Sequence, residues 1–304
     1  MPRTCIVLPL LLALASVSCA ASGPERVHAT VELPFVTNRA AEFDADGIRY
    51  TNDVGKTTTG RCELRVYELP DAEVVVERYE AADADAVLGG WAKDAEAKVT
   101  LYVHGYNIGL ERACRDAAVL ARKSGWEGRM LLFSWPASRT VVTYHRDAGR
   151  FADSMPAIVD VLEELGRRYG RSAVNIVAHS MGSRIVDELV AGLPHADERF
   201  GQLLLIAPDI ERDRFVELLP GLRRVVDDIT VLVSDSDQLL LLSQAVNLGE
   251  RLGQSDDVDV DGVAIIDVTG VDNAGLGNHV YHLTNETVGK AIGAILDGKA
   301  PPDL

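Results

Sequence analysis

The sequence predicts an α/β fold: a mostly parallel central sheet with helices on both faces and an antiparallel edge near the N-terminus. Three observations carry this. From Lys98 onward, short apolar runs alternate with segments of helical apolar spacing, the mark of strand–helix repeats on a parallel sheet. Runs such as VTLYV (99–103) and VNIVA (174–178) are apolar at most positions, as strands covered on both faces are. Ahead of them, 62–69 and 74–79 alternate apolar and polar residues, as an edge pair with one wet face does.

Taken in order, 22–53 is polar and reads as an extended lead-in across the surface. Residues 81–97, rich in Ala and Asp, read as a weak helix or loop. Then follow a strand at 99–103, a helix at 110–123, a strand at 130–133 and a helix at 147–169 interrupted by Pro156. The strand at 174–178 leads through a tight turn into a helical segment marked by Ile185, Val186, Leu189 and Val190. A strand at 203–206, a short helix at 213–219, a strand at 229–233 and a helix at 239–246 come next. A strand at 263–268 and a helix at 285–296 close the series. With neither an internal repeat nor a Pro/Ser-rich linker, 54–304 reads as a single domain.

Composition narrows the partners. The 304 residues are 47% hydrophobic, enough for a large core, and 30 basic against 46 acidic residues give a net charge of −16. That balance argues against nucleic acid and against electrostatic docking on anionic lipid. The N-terminal 1–18 segment has a short basic start and an apolar core from Cys5 to Val17, which is signal-peptide length and too short to span a bilayer. It ends at Ser16-Val17-Ser18-Cys19, close to a lipobox, so Cys19 is the expected lipidation site of an exported, membrane-anchored envelope protein. The competing reading is ordinary cleavage beside Cys19. In an oxidising compartment Cys62 and Cys114 could pair, although sequence does not show whether they meet.

The strand 174–178, the turn AHSMG (178–182) and the following helix form a nucleophile elbow, with Ala178 at the first glycine position of G-x-S-x-G. Such a turn lifts the Ser180 hydroxyl clear of the sheet and points the Met181 N–H at the place where an oxyanion would form. His104-Gly105 directly follows the strand 99–103, so a loop N–H, that of Tyr106, is the expected second donor. The order Ser…Asp…His places the acid after a later strand. Asp237 is preferred, with Asp235 and Asp209 as alternatives. Asp235 and Asp237 both precede a helical run, so one is expected to cap it while the other serves the chemistry. The base is expected to be His279, in the Gly-rich loop after the last strand, with His282 as the alternative.

No metal and no cofactor is expected. His279 and His282 lack a third ligand at metal spacing, and 257–262 lacks the distal glutamate of a calcium loop and reads as an acidic loop. FSWP (133–136) is read as pocket lining or as core and turn. Further lining is expected from 140–151, 211–222 and 268–277.

YVHGYN (102–107), FSWP (133–136), AHSMGSR (178–184) and APD (207–209) together resemble a bacterial family of α/β hydrolases of unknown function. TNR (37–39), GRC (60–62), SDSD (234–237) and the 277–281 stretch also resemble its pattern. The resemblance covers most of the chain after Val36. It implies the α/β-hydrolase fold and a serine hydrolase with Ser180 as nucleophile, Asp237 as acid and His279 as base, and it supplies no substrate. One departure is Asn278, where the family often has glycine before the histidine. The expected activity is cleavage of an ester or related acyl bond in a small-molecule substrate. An acyltransferase or thioesterase on the same residues, or a non-catalytic envelope binding protein, are the alternatives.

Overall fold

A computed structural model of the chain describes residues 27–45, 47–67, 74–89, 98–138, 143–193, 196–247, 249–254, 260–271, 275–302 and 304. The 1–18 segment, Cys19, half of the acidic 257–262 loop and part of two expected pocket loops lie outside these residues. The strands are β1 (Val27–Asp44), β2 (Gly47–Tyr67), β3 (Val74–Ala81), β4 (Val99–Val103), β5 (Arg129–Ser134), β6 (Val174–His179), β7 (Phe200–Ile206), β8 (Val226–Val233) and β9 (Ala264–Asp267). The helices are α1 (Ala84–Leu88), α2 (Leu110–Ser124), α3 (Tyr144–Tyr169), α4 (Ile185–Ala191), α5 (Arg212–Val225), α6 (Gln238–Asn247), α7 (Gly275–Asn278), α8 (Tyr281–Thr284) and α9 (Glu286–Leu296).

The nine strands among the described residues join one sheet in the order β3-β2-β1-β5-β4-β6-β7-β8-β9. From β1 through β9 in that order neighbours are parallel, while β1–β2 and β2–β3 are antiparallel. Alternation along the strands builds two cores. Val99, Leu101 and Val103 of β4 join Ile176 and Ala178 of β6 under α3, α4 and α5. Tyr102 and Val177 point the other way, with Leu132, to meet α2 and α9. The chain passes from β4 outward to β5 and then returns to the opposite side of β4 as β6. The ends of β4 and β6 therefore meet where the strand order reverses, which is where open α/β sheets bind ligands.

The expected lead-in is wrong for 27–53. Residues 27–44 form β1, which pairs with β2 along a long hairpin and with β5 through Phe35, Val36 and Thr37. Leu33, Phe35 and Val36 are buried. Exposed Glu32 before that apolar run and the polar Thr37-Asn38-Arg39 after it mask it when composition alone is weighed. Proline also misleads. α3 runs unbroken through Pro156, and α5 extends through Pro220 well past the expected end at 219. An interior proline costs about 3 kcal/mol. Burial of Phe151, Ile158, Leu162 and Leu165 against the sheet contributes about 1.5–3 kcal/mol each and outweighs it. Cys62 on β2 and Cys114 on α2 form a disulfide, with Cα atoms 6.5 Å apart.

Candidate active site

Ser180 sits at the turn between β6 and the 3-10 segment Ser180–Arg184, with φ 54°. A non-glycine residue in the left-handed region is strained, and the surroundings must hold it there. Two glycines permit this. A Cβ on Gly105 would lie 2.9 Å from Ser180 Cβ, and one on Gly182 would lie 2.7 Å from the carbonyl oxygens of Val103 and His104. The end of β4 and the elbow thus press together, Gly182 against backbone and Gly105 against the Ser180 and His179 side chains, and only glycine fits at both contacts. The Asp209 N–H donates to the Ser180 carbonyl at 3.1 Å and fixes the far side of the turn. Met181 opens the segment after Ser180, so its N–H belongs to the first-turn donors. Tyr106 follows the Gly105 contact and packs edge-on against Tyr144, with ring centroids 5.5 Å apart.

His279 Nε2 lies 2.8 Å from Ser180 Oγ, and His279 Nδ1 lies 2.6 Å from Asp237 Oδ2. With Nδ1–H donating to the carboxylate, Nε2 is left to accept from the serine hydroxyl. The imidazole reaches this place through two successive left-handed residues, Gly277 at φ 66° and Asn278 at φ 61°. Asparagine is among the few side chains that tolerate that region, so the departure at Asn278 leaves the turn intact. The His279 backbone is held from behind: the preceding histidine of the elbow, His179, donates from Nε2 to the His279 carbonyl at 3.0 Å. The Tyr281 hydroxyl bridges the Ala207 N–H and the Leu232 carbonyl, tying the same loop to β7 and β8.

The alternatives are placed elsewhere. Asp235 is exposed and its N–H donates to Thr269 Oγ1. Asp209 accepts hydroxyl hydrogen bonds from Tyr144 and Ser243, each at 2.5 Å, with Arg184 and Arg251 each 3.8 Å away. His282 is fully buried beside the His179 ring, and neither of its ring nitrogens has a hydrogen-bond partner among the described residues. The expectation that one aspartate caps and another binds the histidine is corrected. Asp237 does both, since its Oδ1 accepts from the N–H groups of Leu239 and Leu240 at the start of α6.

Arg39 was missed as a supporting residue. It is 1% exposed within β1, just past the residues that pair with β5, and its guanidinium donates to the carbonyls of Ile108 (2.7 Å) and Ala137 (3.3 Å), to Ser134 Oγ and to Asn52 Oδ1. Burial pulls its pKa down to about 9, opposed by the carboxylate of Asp147, so it stays charged at neutral pH. Ser134 Oγ in turn meets His104 Nε2 at 3.2 Å, and Trp135 donates from Nε1 to the His104 carbonyl while stacking on its ring. FSWP therefore props up the 104–107 loop from beneath. Burial, aided by the Arg39 charge, lowers the His104 pKa to about 3, so the ring is neutral. A Thr-Asn-Arg step directly after the apolar run ending at Val36 was the available signal.

A cleft of about 810 Å³ lined by Arg49, Tyr79, Asn107, Arg112 and Arg115 shares Asn107 with the loop, but Ser180 does not line it. No group of three or more potential metal ligands occurs among the described residues.

A parallel sheet with an antiparallel edge, a strained serine after its central strand and a histidine and aspartate on later loops define an α/β hydrolase. The chain matches the family described as alpha/beta hydrolase of unknown function (DUF900) over residues 80–295, more than half its length, and belongs to that family. No curated protein matches the chain. Similar solved structures include an S-formylglutathione hydrolase from Staphylococcus aureus at 11% identity and TM-score 0.41, covering 89% of this chain and 98% of that one. A carboxyl esterase from the fungus Tuber melanosporum is similar at 14% identity and TM-score 0.39, covering 78% and 82%. A cold-adapted esterase from an Arctic intertidal metagenomic library is similar at 15% identity and TM-score 0.41, covering 82% and 89%. Likenesses this distant carry nothing about the chemistry of this chain.

Proposed function

We propose that the protein is a serine hydrolase that cleaves a carboxylic ester or related acyl bond through an acyl-enzyme intermediate. The observation that carries this reading is the hydrogen-bonded series Ser180–His279–Asp237 built on a left-handed serine. His279 Nε2 takes the hydroxyl proton as Ser180 Oγ attacks the acyl carbon, and then returns it to the leaving alcohol. A water activated the same way releases the acid. Asp237 holds the tautomer and stabilises the imidazolium. The N–H groups of Met181 and Tyr106 receive the oxyanion, each contributing about 3–4 kcal/mol to the transition state. The close fit of Gly105 against Ser180 supports this placement of the Tyr106 segment.

A fluorophosphonate probe should label the purified protein. Ser180→Ala should remove the label and lower short-chain p-nitrophenyl ester turnover by about 10⁶-fold. A folded wild type that neither labels nor turns over ester would sink the reading.

We also propose that the protein works outside the cytoplasm, anchored through Cys19. The Cys62–Cys114 disulfide supports an oxidising compartment. Cys19→Ala should move the protein from the membrane fraction to the soluble one, and unchanged fractionation would remove the anchor.

A further inference from the structure

Helix α6, which begins at the residue after Asp237, has its polarity inside out. Its ten residues, QLLLLSQAVN, include no charged side chain, in a chain that is 25% charged. The side turned to the protein carries Ser243 and Asn247 along with Leu240. Ser243 donates to Asp209, and Asn247 donates to the Tyr144 hydroxyl at 3.1 Å. The side turned to solvent carries Leu239, Leu241, Leu242 and Val246, which are 44%, 49%, 62% and 48% exposed. At about 100° per residue these four, with Ala245 and Gln238, span an arc of about 160°. Large apolar side chains exposed this far are few among the described residues, and four of the eight lie on this one helix. A surface helix ordinarily turns its apolar stripe inward, so the inversion marks a face that meets something apolar.

Size and charge identify the occupant. Four half-exposed aliphatic side chains amount to roughly 400 Å² at most, well short of the about 800 Å² per partner of a stable dimer. The face carries no Lys or Arg and the chain carries a net charge of −16, so an anionic surface is disfavoured. Position does the rest. Leu239 and Leu240 N–H groups bind the same carboxylate that holds His279, and Gln238 packs against Gly277 two residues before that histidine. Whatever covers α6 lies beside the reacting groups.

We infer that the outer face of α6 docks the protein on the acyl chains of an uncharged or zwitterionic lipid assembly. Lipid esters are then the substrate class presented to Ser180. The choice of substrate rests on the serine-hydrolase reading, whereas the docking itself does not.

Leu242→Trp places a reporter on the face, and the probe is a phosphatidylcholine vesicle with bromine in its acyl chains. Emission should shift to shorter wavelength and be quenched at least threefold relative to unbrominated vesicles, with the unsubstituted protein as baseline. Adding Ser180→Ala should leave the quenching unchanged. Introducing Leu241→Glu and Val246→Glu into the same reporter should lower the quenched fraction at least tenfold, with circular dichroism confirming an intact fold. Absence of quenching in folded Leu242→Trp overturns the inference. So does binding seen only on phosphatidylglycerol, or a solution dimer that Leu241→Glu dissociates. If quenching persists but no ester of any chain length is turned over, the hydrolase reading fails and the docking face stands.

Discussion

Asp237 divides two structural duties between its oxygens: Oδ2 receives the imidazole N–H of His279, and Oδ1 receives the first N–H groups of α6. The two duties can be separated chemically. In Asp237→Asn the amide oxygen still caps the helix, because asparagine caps as well as aspartate does. Its amide nitrogen, however, faces His279 Nδ1 as a donor and forces the wrong tautomer. Ester turnover should fall by about 10⁴-fold with the denaturation midpoint nearly unchanged. Asp237→Ala should lose turnover and, in addition, about 1 kcal/mol of stability from the missing cap. Urea titration beside a rate assay reads both, and an active Asp237→Asn would remove this carboxylate from the chemistry. A sequence pattern allots one role per aspartate, and so it assigned the cap and the acid to different residues. Only tertiary structure places the helix start and the imidazole on opposite oxygens of one group.

Strand β1 is the element whose importance was least legible. It joins the parallel sheet through β5 and carries Arg39 into the gap beneath the 104–108 loop and the 134–137 turn. The guanidinium satisfies carbonyls from two loops at once, as its fixed fork of donors allows. Arg39→Met would leave the Ile108 and Ala137 carbonyls short of a donor in the interior, at a cost of about 2–4 kcal/mol. With the loop beside Ser180 loosened, kcat should fall on the order of 10–100-fold while KM changes little. Arg39→Lys, which keeps charge without the fork, should recover stability better than kcat. A folded Arg39→Met variant with unaltered kcat would show that the arginine serves stability alone. The clue, a short apolar run ending in Thr-Asn-Arg, is too brief to distinguish from a polar surface segment until its pairing with β5 is known.

At the scale of the whole molecule, His104, His179 and His282 among the described residues are buried in neutral form around the site. Burial and the Arg39 charge lower His104 to about 3, burial and the neighbouring His279 lower His282 to about 3, and burial and His282 lower His179 well below its usual value. Each folded pKa lies below that of the unfolded chain, near 6.5. The unfolded state therefore takes up protons first as pH falls, and native stability drops between about pH 6.5 and pH 3. At pH 5 the loss should be about 2 kcal/mol for each of His104 and His282. Urea midpoints at pH 7.5, 6 and 5 should decline, and His282→Leu should flatten the decline. A His282→Leu variant with an undiminished slope would contradict the assignment.

The sequence alone determined the strand–helix alternation, the elbow at Ser180, the His104-Gly105 loop and the order in which serine, aspartate and histidine occur. These are local patterns: periodicity, glycine beside a required turn, and position after a strand. Tertiary structure decided which histidine meets Ser180 and which aspartate meets that histidine, whether prolines break α3 and α5, and that 27–44 enters the sheet. It also decided that α6 turns Leu239, Leu241 and Leu242 outward. Each of these depends on contacts between residues distant in the chain, whose burial and hydrogen bonding outweigh the local preferences that a sequence displays.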